Sequence, residues 1–165
     1  MPASAVPRAT RRAAVLGALT GALLTGCDLD LPGSSSDGTA SPAPSPDLEL
    51  ADAALAATDQ ALALVTAVRS AHPALRSRLD PLVALHRAHG QVLTDTGASA
   101  PPSSPVPVPR RSGQALRQVR AREQGLQLDL AGWSVAAQDG ALARLLAVLS
   151  AGVAQQLADP GGALR

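Results

Sequence analysis

The sequence predicts an all-α fold, an antiparallel four-helix bundle, on three observations. Leu, Val and Ala supply nearly all the apolar side chains, with one Trp and no Phe or Tyr, a composition poor in the aromatic residues that strands favour. From residue 46 to 159, apolar residues recur at the 3-4 spacing of a helix with one buried face, in four separate runs. His72-Pro73, Asp139-Gly140 and Asp159-Pro160 punctuate those runs, and a proline-rich stretch divides the second from the third.

Ahead of the helices, Arg8, Arg11 and Arg12 precede an apolar run from Ala13 to Leu24 that ends in Leu24-Thr25-Gly26-Cys27. About 12 apolar residues fall short of the ~20 that a membrane-spanning helix needs, so residues 1–26 read as a cleaved export signal. In order, position and flanks the stretch resembles the lipobox of the bacterial lipoprotein signal family. That resemblance implies cleavage before Cys27, a diacylglycerol on its thiol, and lipid anchoring on the extracytoplasmic face of the cell membrane. Thr10-Arg11-Arg12 also admits twin-arginine export, although Ala13-Ala14-Val15-Leu16 lacks the usual Phe.

Removing 26 of 165 residues leaves 139, enough for one domain. Three of the 14 arginines leave with the signal, so 11 face 13 acids and no concentrated basic face remains for nucleic acid. The only cysteine is the lipid site, so no internal disulfide forms and helix packing alone must hold the domain. Residues 27–45 are rich in Gly, Ser and Pro and read as a flexible tether.

Ser45-Pro46-Asp47 opens the first helix with a hydroxyl cap, a proline in the first turn and an acid at the positive end of the dipole. Leu48, Leu55, Leu62 and Val65 mark its buried face. The second segment, from Pro73 to about Leu93, places Leu75, Leu79, Leu82, His86, His89 and Leu93 on one seam. Asp80-Pro81 within it predicts a kink or a fresh start capped by Asp80. Residues 94–111 follow as a proline-rich loop, a long crossover that is extended or disordered rather than a structural element. The third helix, Ser112 to about Gln138, carries Leu116, Val119, Glu123, Leu126, Leu130 and Trp133. The fourth carries Leu142, Leu146, Leu149, Val153 and Gln156. Short turns at His72-Pro73 and Asp139-Gly140 imply an up-down-up-down order.

Counted from those turns, His86, His89, Glu123 and Gln156 all fall roughly 20–24 Å from one end, at 1.5 Å per residue. Two readings of this shared level stand open. It is either a buried hydrogen-bonded layer that fixes register, or a single-metal site with two imidazoles and a carboxylate around Zn, Fe or Mn. No Gly-x-Ser-x-Gly, phosphate loop or free catalytic cysteine is present. Trp133 reads as core, and Arg117, Arg120 and Arg122 as a solvated row.

The helical layout, Leu85-His86-Arg87-Ala88-His89 and residues 139–146 (Asp-Gly-Ala-Leu-Ala-Arg-Leu-Leu) resemble the ferritin-like domain of unknown function in actinobacterial lipoproteins. The resemblance covers about Asp47 to Leu157. Ferritin-like metal proteins set a Glu on two helices and a Glu-x-x-His pair on the other two. Here the second helix has His86 and His89, the third Glu123, and the fourth only Gln155 and Gln156, so a di-iron centre is not carried over. The expectation is a lipid-anchored, non-catalytic module that binds a protein or small ligand, with a His/His/Glu metalloprotein as the alternative.

Overall fold

The computed structural model of the chain describes residues 45–159 and Leu164. The described chain is all-α, without strands: α1 (Pro46–Ala71), α2 (Arg76–Asp95), α3 (Ser112–Ala136) and α4 (Gly140–Ala158), with a 3-10 turn at Pro73–Leu75. The export signal, the lipobox with Cys27, and the tether up to residue 44 lie outside the described residues.

α1 begins with Pro46 in its first turn, Asp47 and Glu49 behind it and Arg69 near its end, although the Ser45 side chain makes no capping hydrogen bond. Asp139 caps α4 by accepting from the N–H groups of Ala141 and Leu142. Asp47 in turn accepts from Gln138 N at 2.9 Å and Asp139 N at 2.7 Å, so the start of α1 ties down the α3–α4 turn. Asp80 is not a cap. α2 starts upstream at Arg76 and runs through Pro81 unbroken, leaving Asp80 free to pair with Arg69 of α1. Pro81 costs one intrahelical hydrogen bond, to the Ser77 carbonyl.

Side-chain contacts fix the direction of each helix. Asp47 meets residues 138 and 139, Arg122 Nη2 reaches Ala57 O and Gln60 Oε1, and His72 Nε2 donates to Pro109 O. α3 therefore runs beside α1 in the opposite sense. α2 also opposes α1, with Arg69 on Asp80 near the turn and Gly90 beside Asp59 further down. Gln127 and Ser150 pair α3 with α4. Hence α2 and α3 point the same way, which corrects the up-down-up-down order: residues 96–111 cross over the length of the helices. A 3-4 pattern carries no direction, and only the connection length does. About 16 extended residues reach ~50 Å, while α2 is ~30 Å long.

That crossover carries no helix or strand, but the expectation of disorder is corrected. Ser99 N–H donates to Asp52 Oδ1 at 2.7 Å, and Gln118 Nε2 donates to Pro107 O at 3.2 Å. Ala98 is buried, and Val106 and Val108 pack on the core. At its start Gly97 adopts φ 89°, a left-handed conformation suited to glycine at a helix C-terminus.

The core forms two apolar clusters. One joins Leu55, Leu93, Leu126, Leu130, Leu146, Leu149 and Val153, and the other Val65, Val68, Leu79, Leu82, Val83 and Val119. The buried face of α1 keeps Leu55 and Val65 as expected and adds Ala51, Ala54, Thr58, Ala61, Leu64 and Val68, while Leu48 is 39% exposed and Leu62 only half-buried. Ala51, Ala54 and Ala61 let α1 approach its neighbours closely, with Leu55 and Leu64 buried between them in the two clusters. By length and composition α1 and α4 could each cross a bilayer.

Candidate functional site

Buried polar side chains separate the two apolar clusters. α2 delivers His86 one turn beyond Leu82 and α3 delivers Glu123 one turn beyond Val119, each in register with its apolar neighbours, so the helices turn both inward. His86 Nε2 lies 2.8 Å from Glu123 Oε1, and both residues are 0% exposed. The hydrogen bond spans the interior between two parallel helices. Isolated, either group would be costly to bury, whereas together each gives the other a hydrogen-bond partner.

His89 lies on the same face of α2, also buried, with its ring edge-on to that of His86 at a centroid distance of 6.3 Å. It makes no hydrogen bond to Glu123. Its ring rests instead on α4 at Gly152, where an added Cβ would come within 3.3 Å of Nε2. Burial, and then repulsion from His86, lower its pKa from 6.5 to about 4. His86 Nδ1, His89 Nδ1 and Glu123 Oε2 are buried without a partner.

The fourth expected member, Gln156, is half-buried and bonds to none of the three. Leu146, Leu149, Ser150 and Val153 occupy the inward face of α4, leaving Gln156 at its edge. Two buried polar residues went unforeseen, Thr58 and Ser150. Both are satisfied by backbone: Thr58 Oγ1 donates to Ala54 O at 2.8 Å and Ser150 Oγ to Gln127 O at 2.9 Å. The spacing Leu146-Ser150-Val153 was the available signal for Ser150. Trp133, expected in the core, is half-buried and packs against the cluster of Leu126, Leu130 and Leu146.

Among the described residues, no group of three His, Cys, Asp or Glu side chains is placed to hold a metal ion. His86 directs Nε2 at Glu123, and His89 turns toward α4. As arranged, the layer does not fit a His/His/Glu ligand set. It fits an internal register lock that joins α2 to α3 across the interior, with His89 wedging α4 against α2.

The lowered pKa of His89 has a consequence for stability. Above pH 6.5 the ring is neutral in folded and unfolded chains alike. As pH falls toward about 4, only the unfolded chain takes up the proton, so folded stability declines. The full shift corresponds to ~3 kcal/mol. Screening in the α2–α4 seam reduces it to about 1–2 kcal/mol. Urea midpoints measured from pH 7 to pH 4 should fall less steeply in His89→Gln than in the parent, and equal slopes would remove His89 as the cause.

Comparison of the chain with protein-family models, with curated proteins and with solved structures finds no match.

Proposed function

We propose that this chain is a membrane-anchored lipoprotein whose antiparallel four-helix bundle, ferritin-like in connectivity, is a non-catalytic binding or interaction module on the extracytoplasmic face of the cell membrane. The observation that carries the anchoring is Leu24-Thr25-Gly26-Cys27, closing a basic and then apolar leader. The connectivity is supported by two short turns and one long crossover between α2 and α3, the arrangement of ferritin-like folds. The non-catalytic reading is supported by the polar layer, whose His86 and Glu123 are fully buried and bonded to each other.

Cys27→Ser should abolish lipid attachment, since a serine hydroxyl replaces the thiol that takes the diacylglycerol. In detergent partitioning the parent should enter the detergent phase and the variant the aqueous phase. A Cys27→Ser protein that is still cleaved and still detergent-soluble would refute the anchor.

The alternative, a single Zn or Fe ion at His86, His89 and Glu123, draws on the unpartnered atoms of the layer. It requires His86 to release Glu123 and His89 to turn away from Gly152. Elemental analysis of the purified protein separates the readings, because a hydrogen-bonded layer needs no stoichiometric ion and a ligand set does.

A further inference from the structure

The crossover is pinned at both ends, by Ser99 on Asp52 and by Pro107 and Pro109 on Gln118 and His72. Between the pins it arches off α1 and α3, roofing a cavity of about 810 Å³, within the size range of small-molecule sites. Prolines keep the roof extended at little entropic cost, since the polyproline conformation needs no internal hydrogen bonds. The floor is apolar and small, with Ala56 and Leu64 from α1 and Ala121 from α3.

Two polar groups in this cavity are only partly used. Arg122 spends Nη2 on Ala57 O at 3.2 Å and Gln60 Oε1 at 2.7 Å, which holds the guanidinium in place. Its Nε and Nη1 make no hydrogen bond among the described residues, and no ion pair neutralises it there. Gln118 donates through Nε2 to Pro107 O, which fixes its amide, yet its Oε1 is buried without a partner. A fixed cation with spare N–H donors, an acceptor lacking a donor, and an apolar floor and roof together define a complementary molecule.

We propose that this cavity binds a small amphipathic organic anion: an acidic head accepts from Arg122, an N–H or O–H donates to Gln118 Oε1, and an apolar body lies between the proline arch and the floor. Arg122 selects charge because charge-assisted hydrogen bonds are the stronger kind. Gln118 selects for a donor because an unmatched buried carbonyl is costly. This deepens the reading of the domain as a binding module. It does not depend on the lipid at Cys27, since every residue involved lies between Ala56 and Arg122, so the two experiments fail independently.

The probe is 8-anilinonaphthalene-1-sulfonate, which carries an anionic head, an N–H and an apolar body. N-phenyl-1-naphthylamine, the same body without the sulfonate, is the uncharged control. Fluorescence titration of the full chain should give saturable one-to-one binding of the sulfonate. Arg122→Met should weaken the sulfonate roughly tenfold or more while leaving the uncharged probe nearly unchanged. Ala121→Phe, an exposed helix position on the floor, should weaken both probes by filling the cavity. Far-UV melts must stay cooperative in each variant, because loosely packed chains also bind the sulfonate. The proposal is overturned if the sulfonate shows no saturable binding, or if neither Arg122→Met nor Ala121→Phe lowers its affinity.

Discussion

Deleting residues 98–107 is expected to abolish cooperative folding. The crossover must climb the length of α2, about 30 Å for its helix, because α3 starts at the opposite end from where α2 stops. After the deletion about six residues remain, reaching roughly 20 Å when fully extended. The shortfall cannot be recovered without pulling α3 out of register with α1, which would break the His86–Glu123 bond and both apolar clusters. The loss is then on the order of the whole folding free energy, about 5–15 kcal/mol for a domain. Removing only Pro101 to Ser104 is a different case. About 12 residues still span ~40 Å, and the loop-closure term changes by a few tenths of a kcal/mol. Far-UV thermal melts of the two deletions should differ qualitatively, one showing no transition and the other a midpoint within several degrees of the parent. A sharp, near-parental melt for the longer deletion would mean that α2 and α3 are joined by a turn after all.

The same crossover explains what was legible in the sequence. The seam of α2 was readable because Leu79, Leu82 and Leu93 are large and evenly spaced, and the two histidines fall in the same rows. α1 was legible only in part: Leu55 and Val65 are buried, but four of its inward residues are alanines, which give little contrast in a hydrophobic pattern, and Leu48 lies outside. The direction of α3 was not encoded in its pattern at all. Glu123 nevertheless met His86, for a geometric reason: it sits near the middle of α3, and reversing a helix end for end leaves its midpoint at the same height. What failed was orientation rather than depth. His89 turns to Gly152 on α4, and Gln156 lies at the edge of its helix. Spacing within one helix cannot choose between two neighbours that both flank its buried face. The cavity under the arch was invisible for a related reason, because it depends on where proline-rich chain returns to α1 and α3.

Glu123→Leu is expected to cost about 3–5 kcal/mol, because it leaves His86 buried at 0% exposure without its acceptor. His86→Leu should cost a similar amount by leaving the Glu123 carboxylate unpaired. The double variant His86→Leu/Glu123→Leu removes both polar groups and fills the layer with apolar volume. It should lie within about 1–2 kcal/mol of the parent, or above it, since apolar replacements of buried ion pairs are often neutral or stabilising. The two single effects therefore should not add, and the double-mutant cycle should yield a large favourable coupling. Urea unfolding of the four proteins at pH 7 measures it, with equal m-values as the check that the denatured states match. If the single costs simply sum in the double variant, the pair does not act as a unit and the register lock is refuted. Adding Zn or Fe(II) to the same four proteins separates the remaining readings. A midpoint raised only in the parent would transfer the layer from register lock to ligand set. No change in any of the four is expected for a layer whose one strong bond already joins α2 to α3.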